Sequence, residues 1–131
     1  MLIFQGISPS QASDSPRAVT IGNFDGVHLG HQALIQTTIA LARAQTLRST
    51  VVTFEPHPKA YFRPQETPGK IQGLRGKAAA LAAMGIDELR LLKFRRSLAE
   101  MSAEEFMQRV LHQALRARVI VIGDDFRFGA K

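Results

Sequence analysis

The sequence contains no cysteine and no tryptophan, and it has a single tyrosine. Without cysteine the chain forms no disulfide and no thiolate metal site, a composition that favours a reducing, cytoplasmic location. The shortage of tyrosine and tryptophan argues against base stacking on a nucleic acid. No apolar run approaches the roughly 20 residues that cross a bilayer, and the N-terminus lacks the basic and apolar regions of a signal peptide.

Several motifs of known chemistry are also missing. The sequence has no Gly-x-x-x-x-Gly-Lys-Ser/Thr, so it is not a P-loop ATPase. Gly22, Gly26 and Gly30 do not follow the Gly-x-Gly-x-x-Gly spacing, which argues against a dinucleotide-dependent dehydrogenase. No serine lies in a Gly-x-Ser-x-Gly elbow, so a serine nucleophile has no support, and the lack of cysteine removes the thiol alternative.

Positive charge is present but dispersed. The chain has 17 lysines and arginines against 11 acidic residues, a formal net charge of +6. This charge favours anionic partners in general, and its densest groups are only residues 93–96 and 116–118. A solvated basic surface explains the pattern better than a nucleic-acid footprint. We therefore expect no nucleic-acid partner and no membrane partner, and we make no prediction of the oligomeric state. A basic nucleic-acid-binding module remains an alternative.

Strand-like and helix-like segments alternate along the chain. We predict strands at residues 17–21, 50–54, 88–94 and 119–122, and helices at residues 29–44, 73–84 and from the Ser102 capping box onward. This alternation predicts one α/β domain with a parallel sheet and helices on both faces. Ligands of such sheets bind beyond the carboxyl ends of the strands. The loops expected at those ends are residues 22–31, 55–68 and 123–130.

The segment that follows the first of these predicted strands carries the most informative motif. Residues 22–31 read Gly-Asn-Phe-Asp-Gly-Val-His-Leu-Gly-His, which places His28 and His31 where a helix begins. Glycines let the backbone approach a ligand closely, and the unpaired amides at the start of a helix attract phosphate. The two imidazoles can donate hydrogen bonds to phosphate oxygens in a transition state. A helix cap, a buried or surface histidine pair and a metal pair remain alternatives, although His-Glu-x-x-His is absent and we predict no metal ligand.

These features favour a reaction without a covalent enzyme intermediate. A phosphate oxygen of one substrate attacks the α-phosphorus of a nucleoside triphosphate, and pyrophosphate leaves. The protein contributes positioning and electrostatics to such a reaction. A divalent cation is expected to accompany the triphosphate.

Three blocks of the sequence resemble one family. Residues 22–31 resemble the His-x-Gly-His nucleotidyltransferase signature in its prokaryotic FAD synthetase form. Residues 53–58, Thr-Phe-Glu-Pro-His-Pro, are similar to the second block of that family, and residues 123–129, Gly-Asp-Asp-Phe-Arg-Phe-Gly, are similar to its third. Residues 98–106 also resemble a family segment. The resemblance is specific because the blocks occur in the family order over nearly the whole chain.

The resemblance implies the N-terminal FMN adenylyltransferase module of a bifunctional riboflavin kinase/FAD synthetase. It implies a Rossmann-like His-x-Gly-His nucleotidyltransferase fold, ATP and FMN as substrates, FAD as product, and Mg²⁺ with the ATP. His28 and His31 would be the catalytic residues that hold the ATP phosphates. The other implied site residues are Gly22, Asn23, Phe24, Gly30 and Asp125 for ATP, and Pro56, Pro58, Phe62 and Phe128 for the flavin.

The implied flavin residues have a physical rationale. Rigid prolines and phenylalanine rings suit the flat, apolar faces of an isoalloxazine. From the residues alone, core packing of the phenylalanines and termination of a strand by the prolines remain open.

The sequence departs from the family pattern after its third block. The later Ser-Ser-Thr-x-x-Arg block, which helps to bind the triphosphate, has no match in this chain. We therefore expect residues 1–131 to be a partial FAD synthetase domain that lacks the later part of the module and the C-terminal riboflavin kinase domain. The chain alone is expected to be weakly active or inactive, and its parent protein to phosphorylate riboflavin as well. The nearest enzyme alternative is another His-x-Gly-His adenylyltransferase, acting on phosphopantetheine or nicotinamide mononucleotide.

Overall fold

Five strands and three helices form the part of the chain that the computed structural model describes, namely residues 1–6, 15–22, 29–54, 74–93 and 100–123. The strands are β1 (Leu2–Gln5), β2 (Arg17–Ile21), β3 (Arg48–Phe54), β4 (Glu88–Leu92) and β5 (Ala117–Val121). The helices are α1 (Leu29–Gln45), α2 (Leu74–Met84) and α3 (Ala103–Glu105, continuing as a π-helical segment, Phe106–Ala114).

The strands form one parallel sheet in the order β1-β4-β3-β2-β5. Strands β2 and β4 are buried along their whole length, and β3 is buried after its first residue. Such continuous burial is typical of parallel strands that are covered on both faces. The predicted parallel sheet is confirmed. Strand β1 was not predicted; it lies at one edge, beside β4, and its Leu2 and Ile3 are about half exposed.

Helices cover both faces of the sheet, as predicted. On one face Ile35 and Ile39 of α1 and Leu81 of α2 pack against Val51 and Leu89. Ile35 and Leu81 are fully buried, which shows that α1 and α2 exclude solvent from this part of the face.

The other face packs against α3. Phe106 and Val110 of this helix contact a cluster that includes Val19, Val52 and Phe54. The rings of Phe54 and Phe106 have centroids 6.1 Å apart, a spacing typical of aromatic pairs. The two helical layers therefore bury the sheet between apolar clusters on both of its faces.

The predicted ends of two helices are confirmed. Gly85, with φ +99°, follows α2, and the N–H of Ile86 donates to the carbonyl of Leu81 at 3.3 Å. This is the Schellman pattern, in which a glycine adopts the left-handed conformation. At the start of α3, the Glu105 N–H donates to Ser102 Oγ at 3.1 Å, and the Glu105 side chain accepts from the Ser102 N–H.

Helix α3 is wider than predicted after its first turn. The N–H of Leu115 donates to the carbonyl of Val110, five residues back, at 3.0 Å. Phe106, Val110 and Leu111 are buried in the core, whereas Met107 is 40% exposed. A π-helical turn holds more residues than an α-helical turn, so side-chain directions drift from those that the 3.6-residue period predicts.

Replacing Thr46 with glycine should stabilise the protein. Thr46 follows α1 with φ +56°, a conformation that is unfavourable for a β-branched residue. We expect the free energy of unfolding to rise by about 1 kcal/mol, and the Tm by roughly 3–5 °C. The same change at the exposed α1 residue Thr37 should lower both values, because glycine disfavours a helix interior. Thermal unfolding of both variants measures this, and a Thr46→Gly variant less stable than the wild type would refute the strain.

Candidate functional site

The order of the strands reverses between β2 and β5. From β2 the chain places β3 and then β4 on one side, and it later returns to place β5 on the other side of β2. Open parallel sheets bind ligands at such a reversal, outside the carboxyl ends of the strands. The segments that leave these two ends are residues 22–31 and 123–130, two of the three loops that the sequence predicts as ligand-binding.

Three of the predicted ATP-binding residues lie in the described part of the chain. Gly22 follows β2 directly, and its N–H donates to the carbonyl of Val52 in β3 at 3.1 Å. Gly30 and His31 belong to the first turn of α1. His31 is half-buried, with its Nδ1 atom shielded from solvent. The structure therefore brings Gly22 and the start of α1 to the same edge of the sheet.

The remaining predicted site residues lie outside the described residues. They are Asn23, Phe24, His28 and Asp125 of the predicted ATP site, and Pro56, Pro58, Phe62 and Phe128 of the predicted flavin site. Their roles remain predictions.

Polar side chains that the sequence did not single out are buried at the same edge. Thr20 is the next-to-last residue of β2 and is fully buried, and its Oγ1 has no hydrogen-bond partner among the described residues. Thr20 pairs in register with Val51, which packs against α1 and α2, so its hydroxyl lies on the face that these helices cover. Leaving a buried hydroxyl without a partner costs about 1–3 kcal/mol. Thr20 is therefore a polar group that is buried at this end of the sheet at a cost in stability.

A buried lysine lies on that face as well. Lys77 of α2 is only 4% exposed, and its Nζ donates to Thr53 Oγ1 at 3.3 Å. Thr53 is fully buried one residue before β3 ends. The signal for Lys77 was present in the sequence, because it precedes the buried Leu81 by four residues and so shares its helix face. We define Thr20, His31, Thr53 and Lys77 as the carboxyl-edge cluster.

The same spacing orients His31. It precedes the fully buried Ile35 by four residues, so both lie on the stripe of α1 that faces the sheet. Each helix follows a parallel strand and returns antiparallel to it, which places the first turns of α1 and α2 at the carboxyl edge. The cluster therefore collects two hydroxyls, an imidazole and an ammonium on one face and at one end of the sheet.

A second polar cluster lies at the opposite end, on the face that α3 covers. Glu88, the first residue of β4, accepts from Arg17 Nε at 2.5 Å, from Arg90 Nε at 2.9 Å and from Thr50 Oγ1 at 3.0 Å. All four residues are at most 2% exposed. The Arg17 guanidinium also donates to the carbonyl of Leu115 at 2.9 Å, which ties α3 to the sheet.

Arg90 extends this network to the edge strand. Its guanidinium lies 4.4 Å from the centroid of the Phe4 ring, and its Nη1 donates to the carbonyl of Gly6 at 3.2 Å. Because parallel sheets bind ligands at the carboxyl ends of their strands, we assign this amino-end network to the stability of the fold rather than to ligand binding.

The pKa values in the network reflect competing effects. Burial alone raises the pKa of Glu88, but the hydrogen bond and charge of Arg17, with help from Arg90 and Thr50, outweigh it and hold the pKa below its ordinary value. Burial lowers the pKa of Arg90, an effect that the charge of Glu88 opposes. Glu88 is therefore a carboxylate at neutral pH.

The described residues offer no resident metal site. Among them, no three histidine or acidic side chains come together as a metal-binding group. Mg²⁺ ordinarily keeps several waters and binds through substrate phosphates, so the described donors do not fit a cation held by the protein alone. Within the same segments, no helix combines the length and apolar character needed to cross a membrane.

Comparison with known proteins gives a consistent family. The sequence model of FAD synthetase matches residues 10–131. A protein of Escherichia coli (strain K12) named bifunctional riboflavin kinase/FMN adenylyltransferase is 40% identical over 131 residues, which cover 99% of this chain and 42% of the relative. A protein of the same name from Buchnera aphidicola (subsp. Schizaphis graminum) is 35% identical and is covered to 42% by the whole of this chain. The chain thus spans less than half the length of these relatives.

A solved structure shares the fold. The crystal structure of a protein from Streptococcus pneumoniae, named macrolide-efflux protein, superposes with a TM-score of 0.78 and 29% identity, over 98% of this chain and 43% of that one. That name describes the Streptococcus protein alone. The structural likeness agrees with the predicted nucleotidyltransferase-like α/β fold, and the sequence match extends over most of the residues, so this chain belongs to the FAD synthetase family.

Proposed function

We propose that this chain belongs to an FMN adenylyltransferase module. It would transfer AMP from ATP to FMN and release pyrophosphate, with FAD as the product. The observation that carries the proposal is the location of His31, in the first turn of α1 and at the edge of the sheet where the strand order reverses. Membership of the FAD synthetase family and the names of the relatives support the same reaction.

In this proposal one oxygen of the FMN phosphate attacks the α-phosphorus of ATP. The bond between the α-phosphorus and the oxygen that bridges to the β-phosphate breaks, and pyrophosphate carries away the electron pair. His28 and His31 donate hydrogen bonds to the triphosphate oxygens, on which negative charge accumulates. Gly22, Asn23, Phe24, Gly30 and Asp125 shape the rest of the ATP site, and Pro56, Pro58, Phe62 and Phe128 contact the flavin. No covalent bond to the protein forms.

Mg²⁺ enters the proposal only as the counterion that arrives with the triphosphate. It would neutralise phosphate charge in the bound substrate. We place the reaction in the cytoplasm, in keeping with the lack of cysteine. The names of the relatives also include riboflavin kinase. We propose this second activity only for a longer protein of the relatives' length, and not for this chain.

The test is the formation of FAD. The full-length gene product is incubated with Mg-ATP and FMN, and FAD and pyrophosphate are quantified by chromatography and a coupled assay. Equal amounts of both products are expected, with none from phosphopantetheine or nicotinamide mononucleotide as the acceptor. Turnover of one of those acceptors in place of FMN would assign the chain to another adenylyltransferase. A parallel titration of the 131-residue chain with FMN and with Mg-ATP, by calorimetry, should detect binding of at least one ligand.

A further inference from the structure

Lys77 is a charged residue at a buried position of α2, where an apolar side chain is usual. It lies on the helix face of α2 that presents the fully buried Leu81, in a segment otherwise composed of glycine, alanine, leucine and methionine from residue 76 to residue 84. Taking an ammonium out of water is costly. Breaks in the apolar pattern are typical of functional sites, so the position of this charge makes Lys77 a candidate for one.

The ammonium of Lys77 is hydrogen-bonded to a strand in the interior of the sheet. Thr53, which accepts its hydrogen bond at 3.3 Å, lies in β3 and pairs in register with Leu91 of β4. On the other side, β3 pairs with β2 up to the end of β2. A group fixed by a central strand is positioned more accurately than one carried on a loop. The ammonium, which has three N–H donors, is therefore fixed at the carboxyl edge of the sheet.

The proposed reaction requires positive charge at this edge on two sides. Its two substrates meet through phosphate groups, which repel one another, so each phosphate needs its own donors. The first turn of α1 and the strand reversal between β2 and β5 lie on one side of the β2 end. Lys77 lies on the other side, over β3.

We propose that Lys77 binds the phosphate of FMN, the acceptor substrate, through its ammonium at the end of β3. The inference rests on the proposed function and adds to it a residue that recognises the acceptor. Lysine is well suited to this role because it binds phosphate as a compact point charge. It follows that Lys77 should distinguish FMN from riboflavin, which carries the same ring system without the phosphate.

The test compares the two flavins on one variant. FMN and riboflavin are titrated separately into the wild-type chain and into Lys77→Met, and binding is followed by the change in flavin fluorescence. Methionine retains an apolar stem of similar length and removes the charge. The Kd for FMN should rise on the order of tenfold to a hundredfold, which is the expected effect of losing one charge-assisted hydrogen bond. The Kd for riboflavin should not change.

Two further variants separate charge from structure. Lys77→Arg keeps the positive charge and should retain most of the preference for FMN over riboflavin. Arg109→Met removes a charge from an exposed position on α3 and should leave both Kd values unaltered. If Lys77→Met does not give a cooperative thermal transition, Thr53→Val, which removes the hydroxyl that holds the ammonium, should produce a smaller loss for FMN alone.

The outcomes distinguish the inference from the proposed function. Equal weakening of FMN and riboflavin, or no weakening of either, in a folded Lys77→Met variant would overturn the role of Lys77 and leave the adenylyltransferase proposal intact. A wild-type chain that binds neither flavin, together with a full-length product that forms no FAD, would overturn both.

Discussion

Replacing His31 with alanine is expected to lower the kcat of FAD formation by about a hundredfold, the usual effect of removing one transition-state donor. His31 lies in the first turn of α1, on the stripe that faces the sheet and at the edge where the strand order reverses. In the proposed reaction its imidazole donates to a triphosphate oxygen that gains charge as pyrophosphate leaves. The KM for ATP should change less than kcat, because this interaction is strongest in the transition state.

The experiment measures initial rates of FAD formation by the full-length gene product. His112→Ala is the matched control, since His112 is exposed on α3, away from the carboxyl edge. His28→Ala should show a loss similar to that of His31→Ala. Thermal unfolding of each variant checks that the fold is retained. A His31→Ala variant that is folded and as fast as the wild type would remove His31 from the mechanism.

Replacing Glu88 with glutamine should lower the free energy of unfolding more than the other substitutions proposed for this chain. Glu88 is the carboxylate that accepts from both Arg17 and Arg90, and all three side chains are buried. Glutamine carries no negative charge, so the buried guanidinium groups of Arg17 and Arg90 would lose the carboxylate that neutralises them. Breaking a buried ion pair by removing one partner costs about 3–5 kcal/mol. Urea unfolding at neutral pH measures the loss.

Glu104→Gln provides the control for this experiment. Glu104 is exposed in the first turn of α3, so its neutralisation should change the free energy of unfolding by less than about 0.5–1 kcal/mol. A Glu88→Gln variant as stable as Glu104→Gln would show that the network contributes little to folding.

The network also predicts a pH dependence. Because the pKa of Glu88 is lowered in the folded protein, its contribution to stability is present above its ordinary pKa near 4.5 and is lost as the pH falls through the folded value. The stability difference between the wild type and Glu88→Gln should therefore shrink as the pH is lowered below about 4.5. Urea unfolding of both proteins at a series of acidic pH values tests this, and a difference that grows toward acid would contradict the assigned sign.

Local patterns predicted the elements that have strong local signals. The strand at Arg17–Ile21 was predicted with its observed bounds, and the Ser102 capping box and the end of α2 at residue 84 were also confirmed. These features depend on a few neighbouring residues, so they can be recognised without knowledge of the fold. Strand β1 has no such signal, because it is short and half exposed and pairs only with β4, far away in the sequence.

The candidate site divides in the same way. The glycines and histidines of residues 22–31 formed a recognisable motif because they are contiguous in the sequence. Thr53 and Lys77 are 24 residues apart and meet only through the packing of α2 on the sheet. Neither residue type is unusual alone, and spacing within one helix could show only that Lys77 faces inward.

By itself the sequence determined the parallel α/β fold, the helices on both faces and the family, because hydrophobic periodicity and contiguous motifs are local properties. The tertiary structure decided which strands are neighbours, where the strand order reverses, and which polar groups are buried together. It paired Glu88 with Arg17 across 71 residues and placed Lys77 at the end of β3. These contacts depend on the order in which the strands assemble, and that order leaves no pattern in any single segment of the chain.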